Sequence, residues 1–201
     1  MFTAIPTVVG GDALTSSLWN GLASSINAGV ARPIGETTLG GTSAAISFTS
    51  IPADWSHLRL VAVLRGDTAA ASIASVLRCN GDTGANYNYV TQILGSSVAS
   101  AGGASQSAFD PFATKLPAAS AAASSFGALV VDIASYASAT PHKQVAAFAT
   151  CDLDGTTGNM ISLLMAGRWK NTAPLTSLSL APASGNFVAG TRVTLYGLGG
   201  I

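Results

Sequence analysis

A hydrolase needs a nucleophile with a base in reach, and this chain offers two histidines for that task, His57 and His142. His57 begins a strand-like run at the edge of a turn, and His142 follows Pro141 just before another. Neither lies in a Gly-x-Ser-x-Gly or His-Glu-x-x-His context, so no catalytic residue is expected. Glycoside hydrolysis would need two carboxyl groups at a set separation. Glu36 is the only glutamate. The aspartates at 54, 67, 82, 110, 132, 152 and 154 fall mostly in turn-like stretches, where the side chain caps local backbone N–H groups. Two oxygen-rich loops, Asn80/Asp82/Asn86 and Asp152/Asp154/Asn159, invite comparison with calcium loops. Neither has the full ligand pattern or a closing bidentate glutamate, so turn chemistry is expected and no metal or other cofactor. Aromatic rings beside Asn and Asp can stack on sugars. Trp55, Tyr87, Tyr89 and Trp169 are therefore the candidate glycan contacts, against the commoner role of aromatics as core or interface anchors.

Composition narrows the field further. Only 9 % of the 201 residues are charged, the net charge is zero and mean hydropathy is +0.45. Ordinary soluble domains carry roughly a quarter charged residues. A chain this poor in ions is weakly protected against association, so much of its surface is expected to be covered by copies of itself or by a larger assembly. Balanced charge leaves no clustered positive field for nucleic acid. No uninterrupted apolar run approaches the roughly 18–20 residues that span a bilayer, and the N-terminal residues lack the basic and apolar regions of a secretion signal. Cys79 and Cys151 have no Cys-x-x-Cys context and read as buried thiols, with a single disulfide between them left open.

The elements that must position these residues are mostly strands. From His57 to Arg65, Leu58, Leu60, Ala62 and Leu64 share one face, while His57, Arg59, Val61, Val63 and Arg65 share the other. Asn80-Gly81-Asp82-Thr83-Gly84 supplies hairpin chemistry before Tyr87, Tyr89, Thr91 and Ile93. Further strand-like runs lie at 46–51, 73–79, 87–94, 126–133, 143–150, 160–169, 175–181 and 191–198, nearly all bounded by Gly, Pro, Asn or Asp. Many short strands separated by turns predict an all-β fold, a jelly-roll-like antiparallel β-sandwich over residues 43–201.

Ahead of it, residues 1–42 read as an anchoring segment. Thr15 can cap a short helix whose stripe is Leu18, Trp19, Leu22 and Ile26, with Leu14 just before it, and a Gly- and Pro-rich linker runs over 31–42. About 14 residues of helix is marginal alone in water, so the stripe needs its own sheet, sister copies or a partner to pack on. Residues 95–125, rich in Ala, Ser and Gly, read as a long loop. Phe109, Pro111, Phe112 and Leu116 are its large anchors, a short strand lies near 112–116, and an intersubunit contact supplies its order.

Three pieces together resemble virion structural proteins of tailed bacteriophages. One is Gly11-Asp12-Ala13-Leu14-Thr15 leading to Asn20; another is Ile51-Pro52-Ala53-Asp54-Trp55-Ser56-His57-Leu58-Arg59-Leu60, continued by Asn80 to Tyr87. The third is Ser184 to Gly197, ending in Leu195-Tyr196-Gly197. The resemblance spans most of residues 10–197. It implies a virion component assembled in the host cytoplasm, a homotrimer, acting as a capsid decoration or a head or tail fibre. It carries no catalytic motif. The partners it implies are sister copies and other proteins of the capsid or tail; the alternative is a fibre module that recognises a host-surface glycan.

Overall fold

Alternation in the sequence becomes alternation in burial: along β3 (Trp55–Leu64), Leu58, Leu60, Ala62 and Leu64 are buried while His57, Arg59, Val61 and Val63 face out. The computed structural model describes residues 31–95, 98–153 and 160–200. The expected helix and its residues Leu14, Leu18, Trp19, Leu22 and Ile26 lie outside them. The described residues are all β and contain no helix.

The other strands are β1 (Arg32–Thr38), β2 (Ile46–Phe48), β4 (Ser72–Ile73), β5 (Ser75–Cys79), β6 (Tyr87–Leu94) and β7 (Val98–Gln106). They continue with β8 (Leu116–Pro117), β9 (Gly127–Ala134), β10 (Lys143–Asp152), β11 (Met160–Trp169), β12 (Leu178–Pro182) and β13 (Arg192–Gly200). An eight-stranded antiparallel sheet runs β1-β13-β3-β9-β10-β11-β6-β7, and a three-stranded sheet runs β2-β12-β5. A two-stranded pair, β4-β8, completes the set. The division is uneven, eight strands against three, where a jelly roll of two equal sheets would share them four and four.

The core lies between the large sheet and the smaller elements. Leu58, Leu60, Leu129, Val131, Val145, Leu163 and Met165 line the large sheet's inner face, opposite Ile46, Leu77, Leu178 and Leu180. Phe109, Phe112, Leu116 and Phe187 are also fully buried. Each large apolar side chain so buried stabilises the fold by about 1.5–3 kcal/mol.

Two expectations are corrected. Residues 32–38, read as linker, form β1, the edge strand on β13, so the sheet begins at Arg32 rather than at residue 43. Residues 98–106, read as part of a loop needing an intersubunit contact, form β7 and pair with β6 within the chain. Downstream, Leu77 and Phe109 exchange backbone hydrogen bonds, and the carboxylate of Asp110 accepts from Ser75 N–H, Ser75 Oγ and Thr114 N–H. The guanidinium of Arg65 donates to the carbonyls of Ala119, Ala121, Ala122 and Ser125, which orders the rest of that segment from inside the chain.

Candidate functional site

The four aromatics proposed to meet sugars divide into two pairs. Tyr87 and Trp169 are 0 % exposed, so neither offers a ring face to a ligand. They are neighbours across β6 and β11, and their polar ends converge on the turn between β5 and β6. Trp169 Nε1 donates to Asp82 Oδ2 at 2.7 Å, Asn86 Nδ2 to the same oxygen at 2.9 Å, and Gly84 N–H to Oδ1 at 2.8 Å. Tyr87 donates its hydroxyl proton to Asp82 O at 3.0 Å and accepts from Cys79 N–H at 3.1 Å. Burial alone would raise the Asp82 pKa; the bonds from Trp169, Asn86 and Gly84 outweigh it and hold the carboxyl below its ordinary range.

The same turn is the first of the two oxygen-rich loops, Asn80/Asp82/Asn86. Both Asp82 oxygens already face N–H donors, which a cation would repel. Asn80 Oδ1 accepts from Thr176 N–H and Ser177 N–H, tying the same turn to the strand approach of β12. Of the second loop, Asp154 and Asn159 lie outside the described residues. Among the described residues no cluster of three His, Cys, Asp or Glu is placed to hold a metal.

Trp55 and Tyr89 are half-buried. The Tyr89 ring packs edge-on to Phe109, with centroids 6.0 Å apart. The Trp55 indole lies on the backbone of Gly197, where a Cβ would come within 2.3 Å of the ring. Beside it is a shallow depression of about 370 Å³ lined by Trp55, Ser56, His57, Ser135, Ala137 and Ser138. His57 Nδ1 accepts the Ser135 N–H at 3.0 Å, so this nitrogen serves the β9–β10 turn.

Lys143 has no signal in the sequence, since it simply opens a strand-like run, yet it is fully buried. Its ammonium donates to the carbonyls of Ser138, Pro141 and Thr172, joining the β9–β10 connection to the segment after β11. Burial pushes its pKa down, with partial relief from the nearby Cys79. Cys79 and Cys151 are free and buried, and burial raises both thiols, Cys151 to about 11. Thiols held so far from their ionised form are poor nucleophiles.

The outer face of the eight-stranded sheet is the largest feature that sequence reading missed. Cross-strand register places Val61, Val130, Phe148 and Leu164 in one row, next to a row with Ala146, Ala166 and Val90. Val90, Phe148 and Leu164 are 55 %, 45 % and 49 % exposed, and Val98 on the edge strand is 67 % exposed. Charges on the β13–β3–β9 side are paired: Arg59 makes a bidentate bridge to Asp132 at 2.7 and 2.8 Å, and Arg192 meets Glu36 at 3.0 Å. Toward one end the face turns polar with Gln144, Arg168 and Asn88 in register. The period-2 pattern of each strand carried part of this signal, but its continuity across four strands, up to Gln92 on β6, depends on pairing order. No family model, curated protein or solved structure matches the chain.

Proposed function

We propose that this protein is a structural component of a bacteriophage virion, a capsid decoration or fibre subunit that attaches through its N-terminal segment and works by burial rather than reaction. The observation that carries the reading is the wide apolar outer face of the large sheet in a chain with 9 % charged residues. Contiguous exposed apolar surface of this kind marks an interaction site in soluble proteins. The three stretches resembling tailed-phage virion proteins supply the setting, with homotrimeric assembly in the host cytoplasm as the arrangement the resemblance implies. A jelly-roll-like sandwich is the finer fold we propose. The chain crosses from large to small sheet and back between β3, β5 and β6, and again between β11, β12 and β13, which supports that reading.

The test is incorporation. Trp19→Asp combined with Leu22→Asp is expected to leave the sandwich folded by circular dichroism and to remove the protein from purified particles. Incorporation at wild-type level in that variant would contradict the anchoring role.

A second reading, recognition of a host glycan, is favoured by the depression beside the half-buried Trp55 with its serine hydroxyls, and by one of about 460 Å³ where the half-buried Tyr89 stands with Asn88, Gln144 and Arg168. It predicts specific binding on a glycan array that Trp55→Ala abolishes. An array with no binding to the wild type would exclude it within the sugars displayed.

A further inference from the structure

The geometry points to a second copy of this chain as the occupant of the outer face of the eight-stranded sheet, sheet packed on sheet. The inference rests on the self-associating part of the structural reading and does not depend on the virion setting.

Area makes the first argument. Eight strands about 4.8 Å apart and about 27 Å long present a face of about 1,000 Å². A standard specific interface takes about 800 Å² from each partner. The face therefore has the extent a stable pair of protein surfaces needs.

Chemistry makes the second. Phe148 and Leu164 sit side by side at the centre, between β9 and β6, with Val130 beside Phe148 and Gln92 beside Leu164 in the same row. Around them, small side chains such as Ala146 and Ala166 keep the surface low, so a flat partner can reach it. Stacked sheets pack at about 10 Å with side chains interdigitated, the geometry such a face accepts. An apolar centre with a polar margin is also the anatomy of interfaces between protein chains.

Charge makes the third. Arg59 and Arg192 are already matched by Asp132 and Glu36 on the same face, so covering it strands neither charge of either pair. The net charge of the chain is zero, so two copies approach without long-range repulsion. A polyanionic partner would require unmatched cations across the centre of the face, where Val130, Phe148 and Leu164 stand instead.

The experiment is the mass of the purified full-length chain by light scattering across a concentration series, beside Phe148→Asp and Leu164→Glu. Both substitutions fall on exposed positions, so the fold is expected to persist, and circular dichroism with thermal melting checks that it does. The wild type is expected at twice or three times the chain mass at about 50 µM, with the affinity weakened at least 100-fold in each variant, a change of about 2.7 kcal/mol. Twice the mass fits one self-complementary patch; three times fits the β3–β9 side of one copy meeting the β6–β7 side of the next, and both support the proposal. As a second measurement that needs no variant, hydroxyl-radical labelling of Phe148 and Leu164 is expected to rise on dilution. A monomeric wild type would overturn the inference, as would multimers unaffected by either substitution, or Phe148 shielded equally at every dilution, which would mean that the chain's own residues cover the face. Association through this face without incorporation into particles would leave the inference standing and remove the virion role. Incorporation of a monomeric protein would do the reverse.

Discussion

Lys143→Met is expected to destabilise the protein by about 2 kcal/mol, although the substituted side chain has nearly the same length. Methionine fills the space but donates no hydrogen bond. The carbonyls of Ser138, Pro141 and Thr172 would lose the N–H donors they now share at one buried ammonium. An unpartnered acceptor in the interior costs about 1–3 kcal/mol, but Pro141 and Thr172 are exposed and Ser138 half-buried, so water recovers part of the loss, and removing a desolvated ammonium offsets more of it. For a chain of this size each kcal/mol shifts the melting temperature by about 2–4 °C, so a drop of roughly 4–8 °C is expected by calorimetry. The loss should appear as a loosening of two connections at once, after β9 and after β11, which hydrogen exchange would detect. A melting temperature within about 2 °C of wild type would show that the carbonyls find other donors.

Asp82→Ala is expected to cost about 3 kcal/mol, because it leaves the buried Trp169 indole N–H without an acceptor and removes two further bonds from Asn86 and Gly84. It also changes the response to acid. The folded-state pKa of Asp82 is depressed below its unfolded value. The stabilisation it contributes is therefore complete above about pH 4, the unfolded carboxylate value, and is lost as pH falls through the folded value. Asp67, whose carboxylate accepts from the backbone and side-chain N–H groups of Asn186, is shifted in the same direction. Wild-type denaturant midpoints should decline below about pH 4, and the decline should be shallower in Asp82→Ala. Parallel curves would remove Asp82 as the acid-sensitive group. Neither substitution lies on the outer face, so both variants should keep whatever association the wild type has.

How far the sequence could be read follows from where the information lies. Strands with large alternating side chains were legible, and β6 and β11 appear with the expected bounds, Tyr87–Leu94 and Met160–Trp169. The two that were missed lack that signal. β7 reads Val-Ala-Ser-Ala-Gly-Gly-Ala-Ser-Gln, an edge strand with little to bury and no β-branched run, and β1 carries Pro33 and Gly35 in an edge position where both are tolerated. Turn chemistry at Asn80 to Gly84 was legible because it is local. Its use was not: Asp82 meets Trp169 across 87 positions, and only pairing β6 with β11 brings the indole to that carboxylate. The same pairing buried Tyr87 and Trp169, so their composition as aromatic residues beside Asn and Asp misled. The outer face shows the limit again. Val61 and Val63 fall on the face of β3 opposite Leu58 and Leu60, but their continuation through Val130, Phe148 and Leu164 depends on the sheet order β3-β9-β10-β11.

If a partner covers the outer face of the large sheet, the exposure of its side chains must change on assembly. The decisive measurement is hydroxyl-radical labelling of Phe148 and Leu164 in intact particles, compared with the same chain diluted until it is monomeric. The account predicts strong labelling of both side chains in the dilute chain and protection in the particle. Equal labelling in the two states, with the protein present in the particle, would contradict it.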